Sequence, residues 1–97
     1  MKTIEAIIAY QAILKLIDNP QTKCVLFSVA LAKNRRILEP IVHAYQQAIV
    51  NASQAMIQDL QDAEVTVMIY PIAPMIFPTN LDFALVDMLY PLIAGEP

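Results

Sequence analysis

The sequence predicts a mainly α protein. We expect a helical hairpin or bundle with a long kinked central helix, one short β-strand and a C-terminal helix, assembled as an oligomer. Three observations predict this fold. Two runs of apolar residues recur at helical spacing, a single run is rich in β-branched residues, and 97 residues suit one domain, residues 1–97.

The first helical run spans residues 3–18. Its apolar residues follow the period of an α-helix: Ala6, Ile7, Tyr10, Ile13, Leu14 and Ile17. We expect Thr3 to cap the N-terminus, because a threonine hydroxyl can accept a hydrogen bond from a free backbone N–H. Asn19-Pro20 is expected to end the helix.

A longer helical run covers residues 22–61. Its seam alternates in steps of four and three, as in helices that pack along a long edge: Phe27, Leu31, Asn34, Leu38, Ile41, Tyr45, Ala48, Ala52 and Ala55. Pro40 interrupts this run, since proline removes one backbone hydrogen bond and clashes with the preceding turn. We expect either a kink near residues 36–39 or two helices, with Pro40 in the first turn of the second.

The stretch from Pro40 to Gln58 contains no Lys, Arg, Asp or Glu. An exposed helix normally carries such residues, so we expect this segment to lie centrally in a bundle. The whole chain is 58% hydrophobic and 15% charged. When glycine is counted in place of tyrosine, the apolar share is about 55%, against a typical value of about 45–50%, and the typical charged share is about 25%. One small core cannot hide this apolar excess, which predicts a homo-oligomer or a constant partner.

The run Glu64–Tyr70 predicts the strand, followed by an extended crossing with three prolines. The strand could pair with its symmetry mate or with residues 72–77. A capping sequence at residues 79–82 then opens the last helix, whose apolar face comprises Leu81, Leu85, Met88, Leu89 and Leu92.

Three segments carry a resemblance: Leu26-Phe27-Ser28-Val29-Ala30-Leu31-Ala32-Lys33-Asn34, Glu64-Val65-Thr66-Val67 and Asp82-Phe83-Ala84-Leu85-Val86-Asp87-Met88-Leu89. Their order resembles that of a family of small uncharacterised phage or prophage proteins, over most of the chain. The resemblance implies a short helix, a long helix, one strand and a C-terminal helix, and no activity. Members of that family are usually longer and more charged between the long helix and the strand.

Charge and composition exclude several classes. Residues 1–36 carry a net +4 and residues 37–97 a net −7, an asymmetry that can steer copies together. A pI of about 4.8 disfavours general DNA binding. Amides and prolines interrupt both uncharged stretches, which disfavours a membrane span. Cys24 is the single cysteine, which fits a reducing cytoplasm, here a host cytoplasm.

The sequence shows no clear pattern of catalytic or metal-binding residues. His43, the one histidine, has no nucleophile signature around it and is better interpreted as a packed or interface residue. Asp59, Asp62 and Glu64 offer oxygen ligands but lack calcium-loop spacing. They fit a solvated acidic corner better, or one that meets a cation of another subunit. We therefore expect no catalytic site, metal or cofactor.

The sequence Lys33-Asn34-Arg35-Arg36 is the candidate ligand site. Its cations could hold a phosphate, although residue 35 points away from 33 and 36, so a second subunit would have to complete the clamp. In the structural alternative, the cations form surface ion pairs and Asn34 fixes the register of packed helices. Tyr10, Tyr45 and Tyr70 could stack on a base or lie at a subunit interface.

These patterns favour a non-enzymatic, oligomeric phage accessory protein. It would bind a host protein or sequester a small phosphorylated, nucleotide-like ligand, with countering of host defence as the purpose. The alternative is a structural or assembly protein of the phage particle, whose proline-rich arm docks on a neighbour.

Overall fold

The computed structural model describes residues 1–17, 24–78 and 81–93. Over these residues the chain is mainly helical, as predicted. Its α-helices are α1 (Thr3–Ile17), α2 (Val25–Ala48), α3 (Gln54–Asp62) and α4 (Phe83–Met88), with short 3-10 turns at Pro74–Ile76 and Tyr90–Leu92.

Helix α1 forms where predicted, but its cap differs from the prediction. The backbone N–H of Lys2 donates to Glu5 Oε1 at 2.7 Å. Lys2 is therefore the residue that precedes the first turn, and the Glu5 carboxylate satisfies its backbone N–H. The N–H and hydroxyl of Thr3 instead donate to the carbonyl of Ala63, at 2.9 and 3.0 Å. The predicted stop at Asn19-Pro20 lies outside the described residues.

The buried face of α1 is richer in alanine than predicted. The residues it buries are Thr3, Ala6, Ala9, Ala12, Ile13 and Leu16. Leu14 and Ile17 of the predicted stripe remain 43% and 41% exposed. Alanine has no side chain beyond Cβ, so this face lets α1 approach α2 closely, and the larger aliphatic side chains stay outside.

Helix α2 continues through Pro40 and ends at Ala48. The interpretation in which a new helix begins near Pro40 is therefore wrong. Pro40 is exposed, so the Arg36 carbonyl, which loses its helical donor, can bond water instead. The break falls later, where Asn51 adopts a left-handed φ of 65°, which asparagine tolerates well. Ser53 then caps α3 by accepting from the N–H of Met56 at 3.2 Å.

The predicted seam of α2 is buried only in its first half. Phe27, Leu31 and Leu38 are almost fully buried and form one cluster with the buried face of α1. Ile41 and Tyr45 are half-buried, and Ala48 is exposed. Within the single chain, the central position expected for residues 40–58 is therefore not found.

The predicted strand at residues 64–70 is not found among the described residues. Backbone pairing there is limited to two isolated bridges, Lys2 with Glu64 and Ile72 with Ile93. Residues 65–71 belong to no helix or strand. A strand needs a neighbouring strand to pair with, and the described residues offer none.

The C-terminal helix forms in the predicted region but is shorter than predicted, because Leu81, Leu89 and Leu92 of the predicted face lie outside α4. Asp82 caps α4 by accepting from the N–H of Ala84 at 3.2 Å; Thr79 and Asn80 lie outside the described residues. Leu89 and Leu92 are buried, and the rest of the predicted face is half-buried. This face closes the core near Phe77, whose ring centroid lies 5.0 Å from that of Phe27.

Candidate functional site

Helix α2 distributes the predicted ligand residues over different sides. Lys33, Arg35 and Arg36 are exposed, whereas Asn34 is completely buried. Successive helical residues differ by about 100° in direction. A run of four residues therefore cannot present all its side chains to one small ligand.

The Asn34 side chain binds the segment of residues 65–71 to α2 through hydrogen bonds to Tyr70. Its Nδ2 donates to the carbonyls of Tyr70, at 2.7 Å, and of Ala30, at 3.0 Å. Its Oδ1 accepts from the N–H of Tyr70 at 2.8 Å. The amide thus satisfies both backbone groups of Tyr70, as a paired strand would do. Asn34 is not available to a surface ligand, and we leave it out of the candidate site.

Lys33 lies over the ring of Tyr70, with Nζ 4.4 Å from the ring centroid. This distance is that of a cation–π contact. Tyr70 is 40% exposed, so the contact lies at the surface. One face of this predicted stacking residue is therefore covered by a lysine.

The other predicted stacking residues have different surroundings. Tyr10 is half-buried against the hydrophobic core. The Tyr45 hydroxyl accepts from Gln61 Nε2 at 3.0 Å, which ties α2 to α3. Both side chains therefore have structural contacts of their own.

The three cations divide into a pair and a single residue. Lys33 and Arg36 line one shallow depression with Val29 and Ala32. Arg35 borders another, together with Ile17 and Ser28. The clamp in one copy is incomplete, as the helical geometry predicts.

None of these cations has a carboxylate within 4 Å in the described part of the chain. The ion pair formed there joins the Met1 amino group to Glu64 Oε1 at 3.1 Å. The alternative in which Lys33, Arg35 and Arg36 form surface ion pairs therefore lacks a carboxylate partner among these residues. Their charges remain open to an external anion.

An apolar groove that the sequence reasoning missed lies between the second half of α2 and α3. It has a volume of about 360 Å³ and is lined by Thr3, Ile41, Ala44, Tyr45, Ala48, Leu60, Ala63 and Val65. The alanines that follow Pro40 in the seam are the sequence signal that could have indicated it. Its walls come from distant segments, so no local motif marks it.

Acidic residues flank the groove along the chain. Asp59 precedes the lining residue Leu60, and Glu64 lies between Ala63 and Val65. Asp59, Asp62 and Glu64 are exposed. Within residues 1–17, 24–78 and 81–93, no three His, Cys, Asp or Glu side chains converge on a point that could hold a metal ion.

His43 is exposed on the outer side of α2 and borders a shallow depression with Arg36, Glu39 and Pro40. No serine or cysteine lines that depression. Cys24, the free thiol, is half-buried at the start of α2. The arrangement of these residues resembles no nucleophile–base pair.

None of the helices in the described ranges combines the length and the apolar character needed to cross a bilayer. No protein-family model, curated protein or solved structure shows a significant match to the chain. The physical character of its surfaces is therefore the basis for a proposal about function.

Proposed function

We propose that the chain is a non-enzymatic binding protein that acts as an assembly of identical copies. Lys33, Arg35 and Arg36 contact an anionic group at or beside the interface. That group belongs to a host protein or to a small phosphorylated, nucleotide-like ligand. The observation that carries the proposal is the exposed, uncharged surface formed by residues 40–58.

This surface is poorly suited to water. Val50 and Met56 are 66% and 55% exposed, and Ala48, which lines the apolar groove, is exposed as well. Monomeric proteins rarely leave such surfaces bare. Covering this one removes no ionised side chain from water, so the cost of desolvation is low.

The cations supply the second half of the proposal. An arginine guanidinium matches the oxygens of a phosphate or carboxylate with two parallel hydrogen bonds, and a lysine adds a point charge. All three side chains are exposed. A second copy would supply the contacts that one α2 cannot bring together.

Light scattering and calorimetry test this proposal together. We expect a mass that is a multiple of 10.8 kDa, and heat on titration with cyclic or linear nucleotides that is lost in Lys33→Ala/Arg36→Ala. Lys15→Ala, which removes an exposed cation from α1, is the matched control. A 10.8 kDa particle at every concentration, with no heat and no host protein captured, would contradict it. The phage origin, the role against host defence and the host cytoplasm stay predictions that rest on the resemblance and composition.

A structural or assembly role is the second candidate. Met68, between α3 and the first 3-10 turn, and Met75, within that turn, are each 89% exposed. An extended arm with large bare side chains can dock on a neighbouring subunit of a particle. Co-purification with particles, lost in Met68→Glu/Met75→Glu, would favour this role over ligand binding.

A further inference from the structure

The first half of α2 presents a stripe that is both apolar and cationic. Steps of three, four and three residues bring its members onto one side of the helix; these members are Leu26, Val29, Lys33 and Arg36. Leu26 is 64% exposed and Val29 is 42% exposed. We call these four residues the α2 stripe.

The groove between α2 and α3 has the complementary character. Its lining is almost entirely apolar, and Asp59 and Glu64 adjoin lining residues in the chain. Asp59 has no cation within 4 Å in the described ranges, where the ion pair formed is that of Glu64 with the N-terminus. The residues next to this lining in the chain therefore carry negative charge, opposite in sign to that of Lys33 and Arg36, and opposite charges favour contact between two surfaces.

The two surfaces cannot meet within one copy. Val29 and Tyr45 lie sixteen residues apart on the same helix. At about 1.5 Å of rise per residue, this separation is roughly 24 Å. Because α2 is continuous, it holds the stripe away from its own groove.

We infer that the α2 stripe of one copy docks in the groove of a second copy. Leu26 and Val29 fill the apolar lining, and Lys33 and Arg36 face the carboxylates beside it. The inference rests on the self-association proposed above and names its contact.

A mixing experiment tests this contact. Val29→Glu/Arg36→Glu disables the stripe, and Ala48→Arg disables the groove; all three positions are exposed. Each variant alone should associate at least about tenfold more weakly than the original chain. Mixed in equal amounts, they should form a one-to-one complex, because the Ala48→Arg copy keeps an intact stripe and the other copy keeps an intact groove.

Two controls match these changes. Lys15→Glu makes the charge change of Arg36→Glu at an exposed position of α1, and Gln11→Arg adds a cation at an exposed position of α1 that does not line the groove. Both should associate as the original chain does. Circular dichroism and thermal melting of every variant separate a lost contact from a lost fold.

The outcomes separate this inference from the proposed function. If the variants stay apart when mixed while the original chain associates, the stripe-to-groove contact is wrong and self-association stands. The same holds if Lys15→Glu weakens association as much as Val29→Glu/Arg36→Glu does. If the original chain is monomeric throughout, both the inference and the self-association fail.

Discussion

The two halves of α2 follow one periodic pattern and have different surroundings. The first half buries Phe27, Leu31 and Leu38 against α1. In the second half, from Pro40 to Ala48, Val42 alone is buried. Helix α1 has 15 residues and α2 has 24. At about 1.5 Å per residue, α2 extends roughly 14 Å beyond what α1 could cover along its length.

The two halves show that having an apolar face and having that face covered are separate properties of a helix. Periodicity determines which face of a helix is apolar, but the length of the neighbouring helix determines whether that face is covered. The seam also changes from large residues such as Leu38 to small ones such as Ala48. The bare half therefore forms a shallow groove and not a ridge.

The largest expected effect tests the packed half. Phe27→Ala should lower the free energy of unfolding by about 4 kcal/mol, because it removes a fully buried ring and leaves a cavity. Leu26→Ala removes a large apolar side chain from the neighbouring position, which is 64% exposed, and should cost less than about 1 kcal/mol. Urea unfolding of both variants measures the contrast. Equal losses would show that the packed face is assigned wrongly.

A smaller loss is expected from Asn34→Ala. The change leaves the N–H and carbonyl of Tyr70 without their partner, which should cost about 2–3 kcal/mol. Arg35→Ala, at the exposed neighbouring position, is the control. Hydrogen exchange at the Tyr70 amide should accelerate in Asn34→Ala alone. Unchanged exchange would contradict the tether.

Pro40→Ala should change stability in the opposite direction. Alanine restores the N–H that can donate to the Arg36 carbonyl and removes the proline clash. The greater freedom of the unfolded chain offsets part of this gain. We expect a net stabilisation of about 2 kcal/mol in thermal unfolding. A destabilised variant would mean that the proline is accommodated by contacts other than those of α2 itself.

Charges added to the bare half should have the smallest effect on the single chain. Gln46→Glu and Gln47→Glu change exposed side chains and should alter the unfolding free energy by less than about 0.5 kcal/mol in dilute solution. Gln46→Lys and Gln47→Lys should have an equally small effect on the unfolding free energy. If the bare half is an interface, either sign of charge at a covered position weakens association in sedimentation, because the charge must be desolvated. If the Glu and Lys substitutions changed association in opposite directions, long-range attraction between charged copies would explain the effect, and burial of this surface would not be needed.

The mainly helical fold could be predicted because helical periodicity is a local property. α1 and the first half of α2 therefore lie where their apolar spacing indicates. The strand at residues 64–70 could not be judged in this way, because a strand depends on a partner elsewhere in the chain. Here the Asn34 side chain occupies the place of that partner, and no local pattern distinguishes such an asparagine from one that fixes helix register.

The candidate site was predictable in part for the same reason. The cations of residues 33–36 are adjacent in sequence, and helical geometry alone separates Arg35 from Lys33 and Arg36. The groove escaped prediction because Thr3, Ala48 and Val65 come together only through folding. Its apolar lining also depends on the turn at Asn51, after which α3 supplies Leu60.

Oxidation of methionines tests most directly whether the uncharged surface is covered by a second copy. Met56 belongs to that surface and is 55% exposed, whereas Met75, in the 3-10 turn Pro74–Ile76, is 89% exposed. In concentrated solution, mass spectrometry after brief peroxide treatment should find Met56 oxidised much more slowly than Met75, and dilution should remove that protection without changing Met75. A rate at Met56 that is equally fast in dilute and concentrated solution would contradict the account.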